Sequence, residues 1–185
     1  MDVFENVKEK AIECFGEKSA DIFETAEKLM DTEGVIMHCP AHHFIVPAAL
    51  ALCIYEKEDR DRFIKDLETM KQRAEKVPGG FCGNCGCCGA AVGVGIFVSV
   101  FTGASPKKRA HWDDANAATA EALSAIANIG GPRCCKRVTF IALMSAAKTV
   151  DDRLGIKLEI PAEHACKYHA MNEECIGRLC PFRKD

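Results

Sequence analysis

Cysteine is the residue type with the most chemical potential in this chain, which has twelve cysteines among 185 residues. Most of them fall into three groups. In chain order the groups are Cys82, Cys85, Cys87 and Cys88; Cys134 and Cys135; and Cys166, Cys175 and Cys180. Sulfur-rich ligand sets select zinc or iron–sulfur clusters among the common metals. The groups therefore predict a metal–thiolate centre, with Cys82, Cys88, Cys134, Cys135, Cys166, Cys175 and Cys180 as candidate ligands.

The spacing of these cysteines favours iron–sulfur over zinc. Zinc sites usually show two closely spaced cysteine pairs; Cys82 with Cys85 is one, but the interval from Cys175 to Cys180 is borderline. Iron–sulfur ligation often combines close cysteines with a distant one before proline, as in Cys180-Pro181. We therefore expect an iron–sulfur cluster, of the 4Fe–4S type, with zinc as the alternative. Free or redox thiols without a metal are a third interpretation.

The adjacent pair Cys134 and Cys135 follows Pro132, which fits the first position of a helix. Free backbone N–H groups and the positive end of the helix dipole lower the pKa of thiols at such a position, and Arg133, Lys136 and Arg137 would add to this effect. Neighbouring side chains on a helix diverge by about 100°. We expect one thiol to bind the metal, and the other to serve a second centre, to act as a nucleophile (Cys135 is our candidate) or simply to pack in the core.

Cys88 begins a second small-residue helix, at "CGAAVGVG". Its helix-start amides suit an anionic cluster, and nearby glycines let the backbone approach bulky sulfides. We therefore assign Gly83, Gly89 and Arg133 to cofactor binding. The helix-start thiols at Cys88 and at the 134/135 pair are expected to converge on one cofactor, joined by thiols of the C-terminal tail.

The segment "MHCPAHHF" holds a second constellation, in which His42 and His43 are candidate catalytic acid–base groups. His38 and His42 are four residues apart and share a helix face if the helix begins early; metal ligation and structural capping stay open for all three histidines. Cys39 is either a ligand or a buried side chain. Cys14 and Cys53 lie on apolar helical faces and are assigned to the core.

The elements that would position these residues are helical nearly throughout. Apolar periodicity predicts about six or seven helices in a mainly α, single domain spanning 1–185. N-terminal helices occupy 1–34, with Ser19 as an N-cap; a helical core with a cysteine-rich loop at 79–89 occupies 35–160; and a cysteine-rich tail at 161–185 docks on the core. Only "GIKLEI" alternates like a short strand.

Composition excludes several classes of function. The apolar fraction of 48% and the charged fraction of 28% are typical of globular chains. The net charge of −3, with one Trp and two Tyr, argues against nucleic-acid binding. The chain shows neither a secretory signal nor an apolar stretch of the ~20 residues that a membrane span needs. We therefore expect a cytoplasmic protein, and an anaerobic host would protect so many thiols from oxidation.

Several motifs together resemble a cysteine-rich family of unknown function from methanogenic archaea and other anaerobes, some members of which are joined to methyltransferase-like domains. The motifs are "HHFIVPAALAL", "FCGNCGCCGAAVGVGIFVSVFTGASP", "IGGPRCCKR" and "NEECIGRLCP", within about residues 35–182. The resemblance includes His42, His43, Cys82, Cys88, Cys134, Cys135, Cys166, Cys175 and Cys180. Cys39, Cys85 and Cys87 are extras in this sequence. The resemblance implies a thiol site in an anaerobe and brings no established reaction.

Three functions follow from these patterns. The first is an iron–sulfur protein in redox chemistry, sulfur transfer or cofactor maturation, where a cluster held by three cysteines leaves one iron open for substrate. The second is a zinc-stabilised helical binding module or accessory domain for a methyltransferase-type enzyme. The third, a thiol oxidoreductase using the 134/135 pair, ranks last because adjacent cysteines close a disulfide only with strain. A redox or methyltransferase partner is expected, and the oligomeric state stays open.

Overall fold

The structure is a computed structural model that describes residues 2–17 and 21–184. Eight α-helices form within these residues: α1 (Val3–Cys14), α2 (Ile22–Met30), α3 (His42–Ile54), α4 (Arg60–Ala74), α5 (Phe81–Asn84), α6 (Gly89–Thr102), α7 (Trp112–Ile129) and α8 (Cys135–Leu154). Short 3-10 turns occupy Lys57–Asp59, His169–Met171 and Gly177–Leu179. The predicted mainly helical, single-domain fold is confirmed. None of the helices found in the described ranges is long and apolar enough to cross a membrane.

The segment "GIKLEI" is not a strand, so that prediction is wrong. No strand forms within the described ranges, and an isolated extended segment has no partner for its backbone groups. The alternation is nevertheless real, because Ile156, Leu158 and Ile160 all pack against the core while the residues between them are exposed. The segment is a single extended strap along the helices.

Helices α3 and α6 form the centre of the domain. Every residue from Phe44 to Ala51 is buried, and α6 is buried over most of its length. Helix α3 contacts α1, α2, α4, α6 and α8, while α6 contacts α4, α7 and α8 as well. A helix that is apolar all round must be surrounded by other elements, which is why these two lie innermost.

Glycines allow α6 to approach its neighbours closely. A Cβ at Gly93 would lie 2.7 Å from the carbonyl oxygen of His43 and 3.0 Å from Cδ of Pro47. Pro47 has no N–H, so the His43 carbonyl lacks its usual helical donor and is free to face α6. The start of α3 and the start of α6, which carry the His and Cys motifs, are held together at this contact.

Gly93→Ala is expected to destabilise the protein by about 1–3 kcal/mol, because the added methyl group meets backbone that cannot move aside. The gain in helix propensity of about 1 kcal/mol offsets only part of this cost. Urea unfolding measures the difference. Gly83→Ala is the matched control, since a Cβ there meets nothing within 4 Å. A Gly93→Ala protein as stable as the wild type would contradict the close contact.

Two predicted helix starts need comment. Ser19 lies outside the described residues, and α2 is capped by Asp21, whose carboxylate accepts the N–H groups of Phe23 and Glu24. Pro132 is not the first residue of α8, contrary to the prediction. Cys134 is the N-cap, with extended backbone and a sulfur that accepts the N–H of Arg137. The Arg137 guanidinium holds the preceding turn outside the helix by donating to the carbonyls of Gly130 and Pro132, at 3.0 and 2.6 Å.

The C-terminal tail lies on the helical core with little regular structure of its own. Its backbone closes on itself where the N–H of Cys166 donates to the carbonyl of Phe182 at 2.7 Å. The Phe182 ring packs edge-on against Phe140 of α8, and Tyr168 is also buried. These few apolar anchors bring the cysteines of the tail toward the start of α8.

Candidate functional site

A cavity of about 500 Å³ lies where the three sequence motifs meet. Its wall comes from residues 38–43 before and within the start of α3, from residues 79–90 around α5 and the start of α6, and from residues 130–138 at the start of α8. Apolar side chains of α7 close one side, among them Leu123 and Ile126. The volume is in the range of small-molecule and cofactor sites. We refer to it as the large cavity.

Five cysteines from separate segments line the large cavity: Cys39, Cys82, Cys88, Cys134 and Cys135. Cys135 is the central member, because its thiol lies close enough to Cys88 and Cys39 to feel their charges. Cys88 is in turn close to Cys82. The predicted meeting of Cys82 and Cys88 with the start of α8 therefore has a geometric counterpart, through Cys135.

Cys88 is the N-cap of α6, and its carbonyl accepts the backbone N–H of Ala91, while its thiol lies near the N–H groups of Ala90 and Ala91 without a cap hydrogen bond. Burial raises the pKa of this thiol, and the two N–H groups oppose that effect. The next position is glycine because the His43 ring occupies the space that a side chain would need. A Cβ at Gly89 would lie 2.1 Å from Cδ2 of that ring. Gly83 and Gly89 both line the cavity, as does Arg133, which also pairs with Glu174 of the tail at 3.7 Å.

The predicted low pKa of the pair at the start of α8 is wrong in direction. Burial, with a smaller contribution from the neighbouring thiols Cys88 and Cys39, raises the pKa of Cys135 to about 12. Burial also raises the pKa of Cys134 by more than the backbone N–H groups and the charge of Arg137 lower it. Desolvation disfavours the thiolate more than one helix terminus favours it. Without a bound metal ion, both thiols stay protonated at neutral pH.

His42 and His43 each hold one ring nitrogen in a fixed hydrogen bond. Nδ1 of His42 lies 3.0 Å from the carbonyl of Cys39, and Nδ1 of His43 lies 3.1 Å from the carbonyl of Val77. A carbonyl only accepts, so Nδ1 carries the proton in both rings and Nε2 keeps its lone pair. Burial lowers the pKa of His42 to about 3 and also lowers that of His43. Both are neutral lone-pair donors, and Nε2 of His42 is buried without a partner.

The sequence left Cys39 open as either a metal ligand or a buried side chain. Its sulfur lies 3.5 Å from Nδ1 of His42, on the cavity wall near Cys135. The sequence feature that could have indicated this position is the spacing of Cys39, three residues before His42. His38 lies at the rim, where Nε2 is 3.0 Å from a carboxylate oxygen of Glu174 and 3.3 Å from the amide oxygen of Asn172.

The tail cysteines lie at a second, much smaller cavity of about 10 Å³. Four cysteines line it: Cys134, Cys166, Cys175 and Cys180. The Cys166 thiol feels the charges of the other three, and burial is the main reason that its pKa is raised. The seven predicted ligands are thus divided: Cys82, Cys88 and Cys135 line only the large cavity, Cys166, Cys175 and Cys180 line only this smaller cavity, and Cys134 lines both. We refer to this second space as the tail cavity.

The other cysteines lie away from both cavities. Cys85 and Cys87 line neither, in keeping with their interpretation as extras of this sequence. Cys14 is buried on α1, and Cys53 is half-buried on α3, where burial raises its pKa to about 11. Across residues 2–17 and 21–184, no three His, Cys, Asp or Glu side chains are already arranged as the ligands of one metal ion.

Two buried cations lie beside the thiols of both cavities. Lys136 and Arg137 are only 2% and 3% exposed. Nζ of Lys136 donates to the carbonyl of Met30 at 3.3 Å and lies 4.7 Å from the centre of the Tyr168 ring, while burial lowers its pKa. Nε of Arg137 is buried with no acceptor. In the part of the chain that is described, neither cation forms an ion pair with a carboxylate.

Comparison with known protein families covers nearly the whole chain. A model described as a family of unknown function, DUF5714, matches residues 11–183. The chain belongs to the DUF5714 family. No curated protein and no solved structure matches this DUF5714 chain. The match includes both cavities and the tail, so the resemblance to a family of unknown function is confirmed, and the family brings no reaction with it.

Proposed function

We propose that this DUF5714 protein binds an iron–sulfur cluster in the large cavity and uses it in redox chemistry, sulfur transfer or cofactor maturation. Cys82, Cys88 and Cys135 are the proposed cluster ligands, and Cys39 lies within the same wall as a fourth donor. A cluster of the 4Fe–4S type held by three cysteines has one iron open to a substrate, sulfide or a fourth ligand. The observation that carries the proposal is the pair of buried cations beside these thiols, Lys136 and Arg137, neither of which is ion-paired with a carboxylate within the described residues.

A buried charge is strongly unfavourable unless an opposite charge compensates it. The groups whose negative charge would favour a charged Lys136 are Cys39, Asp31, Cys135 and Cys134. Asp31 acts on Lys136 from beyond ion-pair distance, and burial still lowers the pKa of Lys136, whereas thiolates bound to a metal cluster form a net anion beside both cations. An anionic cluster is therefore the missing partner of Lys136 and Arg137.

The raised pKa values separate a ligand role from a nucleophile role. A free catalytic cysteine needs a depressed pKa, which gives a thiolate near neutral pH. Cys135 has the opposite, a pKa of about 12. A bound metal deprotonates a coordinating thiol outright, so a high pKa in the metal-free protein does not impede ligation. Cys135 accordingly fits a cluster ligand better than the nucleophile that its position at a helix start predicts.

The histidines would supply acid–base chemistry or a further ligand beside the cluster. The fixed Nδ1–H bonds of His42 and His43 leave Nε2 as the reactive atom in each ring. Metal-ligating histidines almost always have this arrangement, in which the second nitrogen donates to a carbonyl or carboxylate. His42 or His43 is therefore proposed to accept a proton from, or to bind at, the open iron site.

The proposed cellular setting is a reducing one. Exposed cysteines such as Cys82 and Cys85 would be oxidised readily in air, so the protein is proposed to act in the reducing cytoplasm of an anaerobe, archaeal or bacterial. A redox protein or a methyltransferase-type enzyme is the proposed partner. The opening of the large cavity, rimmed by His38 and Arg133, is where such a partner would reach the cluster.

Anaerobic purification followed by iron, acid-labile sulfide and zinc analysis tests this function. A brown protein that contains both iron and sulfide and absorbs near ~400 nm is the expected result, since sulfide-to-iron charge transfer colours such clusters. A colourless protein that holds zinc and neither iron nor sulfide, even after reconstitution with ferrous iron and sulfide, would contradict it. That outcome would favour the alternative of a zinc-stabilised accessory module.

A further inference from the structure

We propose that the tail cavity is a second metal centre, a single zinc ion held by Cys134, Cys166, Cys175 and Cys180, which fastens the C-terminal tail to the first turn of α8. This centre is distinct from the iron–sulfur site, because it shares none of Cys82, Cys88 and Cys135. The proposed zinc site is structural and has no open coordination position, in contrast to the open site in the large cavity.

The composition of the tail cavity fits four-thiolate coordination. Structural zinc is four-coordinate and tetrahedral, and four cysteines form one of its common ligand sets. Cys134 and Cys180 are 7% and 9% exposed, so water has little access to this site. Cys166 feels the charges of Cys134, Cys180 and Cys175, and Cys134 feels that of Cys180, which places the four thiols around one space.

The size of the space selects one ion over a cluster. The tail cavity has about 10 Å³, against about 500 Å³ for the large cavity. Met37, Tyr168 and Phe182 are the apolar and aromatic side chains packed in its wall, and the last two are 4% exposed. A 4Fe–4S core has eight inorganic atoms and would displace these packed side chains. A single ion is the metal group that fits a space of this size lined by four cysteines.

One of the sulfurs already accepts a backbone N–H group, as metal-bound thiolates commonly do: Cys134 accepts from Arg137 at 3.4 Å. The backbone N–H groups near Cys134 and Cys166 also favour the thiolate form of each. Zinc with four thiolates is a net anion, and Arg137 is the buried cation that lowers the pKa of the neighbouring Cys134. The guanidinium of Arg137 lines the tail cavity and provides the compensating charge.

The tail has the structural need that such a centre would meet. Residues 161–184 contain two 3-10 turns and no α-helix, and large apolar side chains there, Leu179 and Met171, are 80% and 65% exposed. Segments with so little buried surface are ordered in small domains by metals or disulfides. A zinc ion joins three points of the tail to the N-cap residue of a core helix.

The test is zinc content and tail protection in protein purified anaerobically from medium that supplies both zinc and iron. The wild type is expected to hold one zinc ion per chain that Cys175→Ser and Cys180→Ser both lose, while iron in the large cavity is retained. Trypsin should then cut the tail at least tenfold faster in these variants than in the wild type. His169→Gln is the matched control: its ring lines the same cavity but is not a proposed ligand, so zinc should be retained.

A second measurement on the wild type covers the case in which the variants fail to fold. Replacement of zinc by cobalt(II) should give the intense visible bands and the thiolate charge-transfer absorption of a tetrahedral four-thiolate site. Wild-type protein with no zinc, tail variants that keep zinc or lose iron instead, or cobalt without thiolate absorption would each overturn the proposal. A failure of the iron–sulfur proposal is separable, because it would change the iron and sulfide content and leave zinc in place.

Discussion

Cys88→Ser and Cys135→Ser are each expected to lose the bound iron and sulfide, with iron falling at least tenfold below the wild-type content. Both thiols line the large cavity from different helices, and Cys135 is near both Cys88 and Cys39. Loss of only about 1.4 kcal/mol of binding free energy lowers affinity tenfold, and a missing thiolate ligand costs more than that. Iron and acid-labile sulfide analysis of anaerobically purified protein measures the effect.

Cys85→Ser is the matched control for this pair, since Cys85 belongs to the same loop but does not line the large cavity. It is expected to keep the wild-type iron content, and circular dichroism of all three variants should show unchanged helix. Equal iron loss in Cys85→Ser would contradict the ligand assignment. Full retention of iron in both Cys88→Ser and Cys135→Ser would contradict the site itself.

Lys136→Met is expected to stabilise the metal-free protein and to lower the reduction potential of the cluster-loaded protein. Methionine keeps the packing of the lysine stem but removes a buried charge that has no carboxylate partner. In metal-free protein, whose thiols are neutral, this change should raise the free energy of unfolding by about 1–3 kcal/mol. In the cluster-loaded protein it should lower the reduction potential by tens of millivolts, since a nearby cation stabilises the more negative, reduced cluster.

Lys148→Met provides the control on the same helix, because the Lys148 side chain is 78% exposed and pairs only with the exposed Asp152. Its charge is screened by solvent, so neither stability nor potential should change appreciably. Urea unfolding and a redox titration give the two quantities. If Lys136→Met had the same potential as Lys148→Met, Lys136 would not be a counter-charge of the cluster.

The helical fold could be predicted from apolar periodicity, and the errors in the predicted helix boundaries have local causes. Helix α6 was expected in the small-residue segment that begins at Cys88 and is found at Gly89–Thr102, because its small apolar residues are continuous. The start of α8 was placed at Pro132 rather than Cys135, because the sulfur cap and the Arg137 bonds to the turn are tertiary features. The helix α5, one turn within the cysteine loop, has no periodic signal because it is only four residues long.

The site was predictable in its parts and not in its arrangement. Cys134 and Cys135 both line the large cavity and Cys134 also lines the tail cavity, so the divergence expected of neighbouring helical side chains is seen only in part. That the tail cysteines lie with Cys134 alone depends on how the tail docks, which residue spacing does not encode. The sign of the thiol pKa shifts also escaped prediction, since burial outweighs the helix terminus and burial is set by the whole fold.

Anomalous X-ray diffraction from crystals grown anaerobically is the most direct test of the central claim. Data recorded at the iron absorption edge should show an iron peak in the large cavity, within bonding distance of the sulfurs of Cys82, Cys88 and Cys135. An iron peak elsewhere, or a large cavity without iron in protein reconstituted with iron and sulfide, would contradict the account.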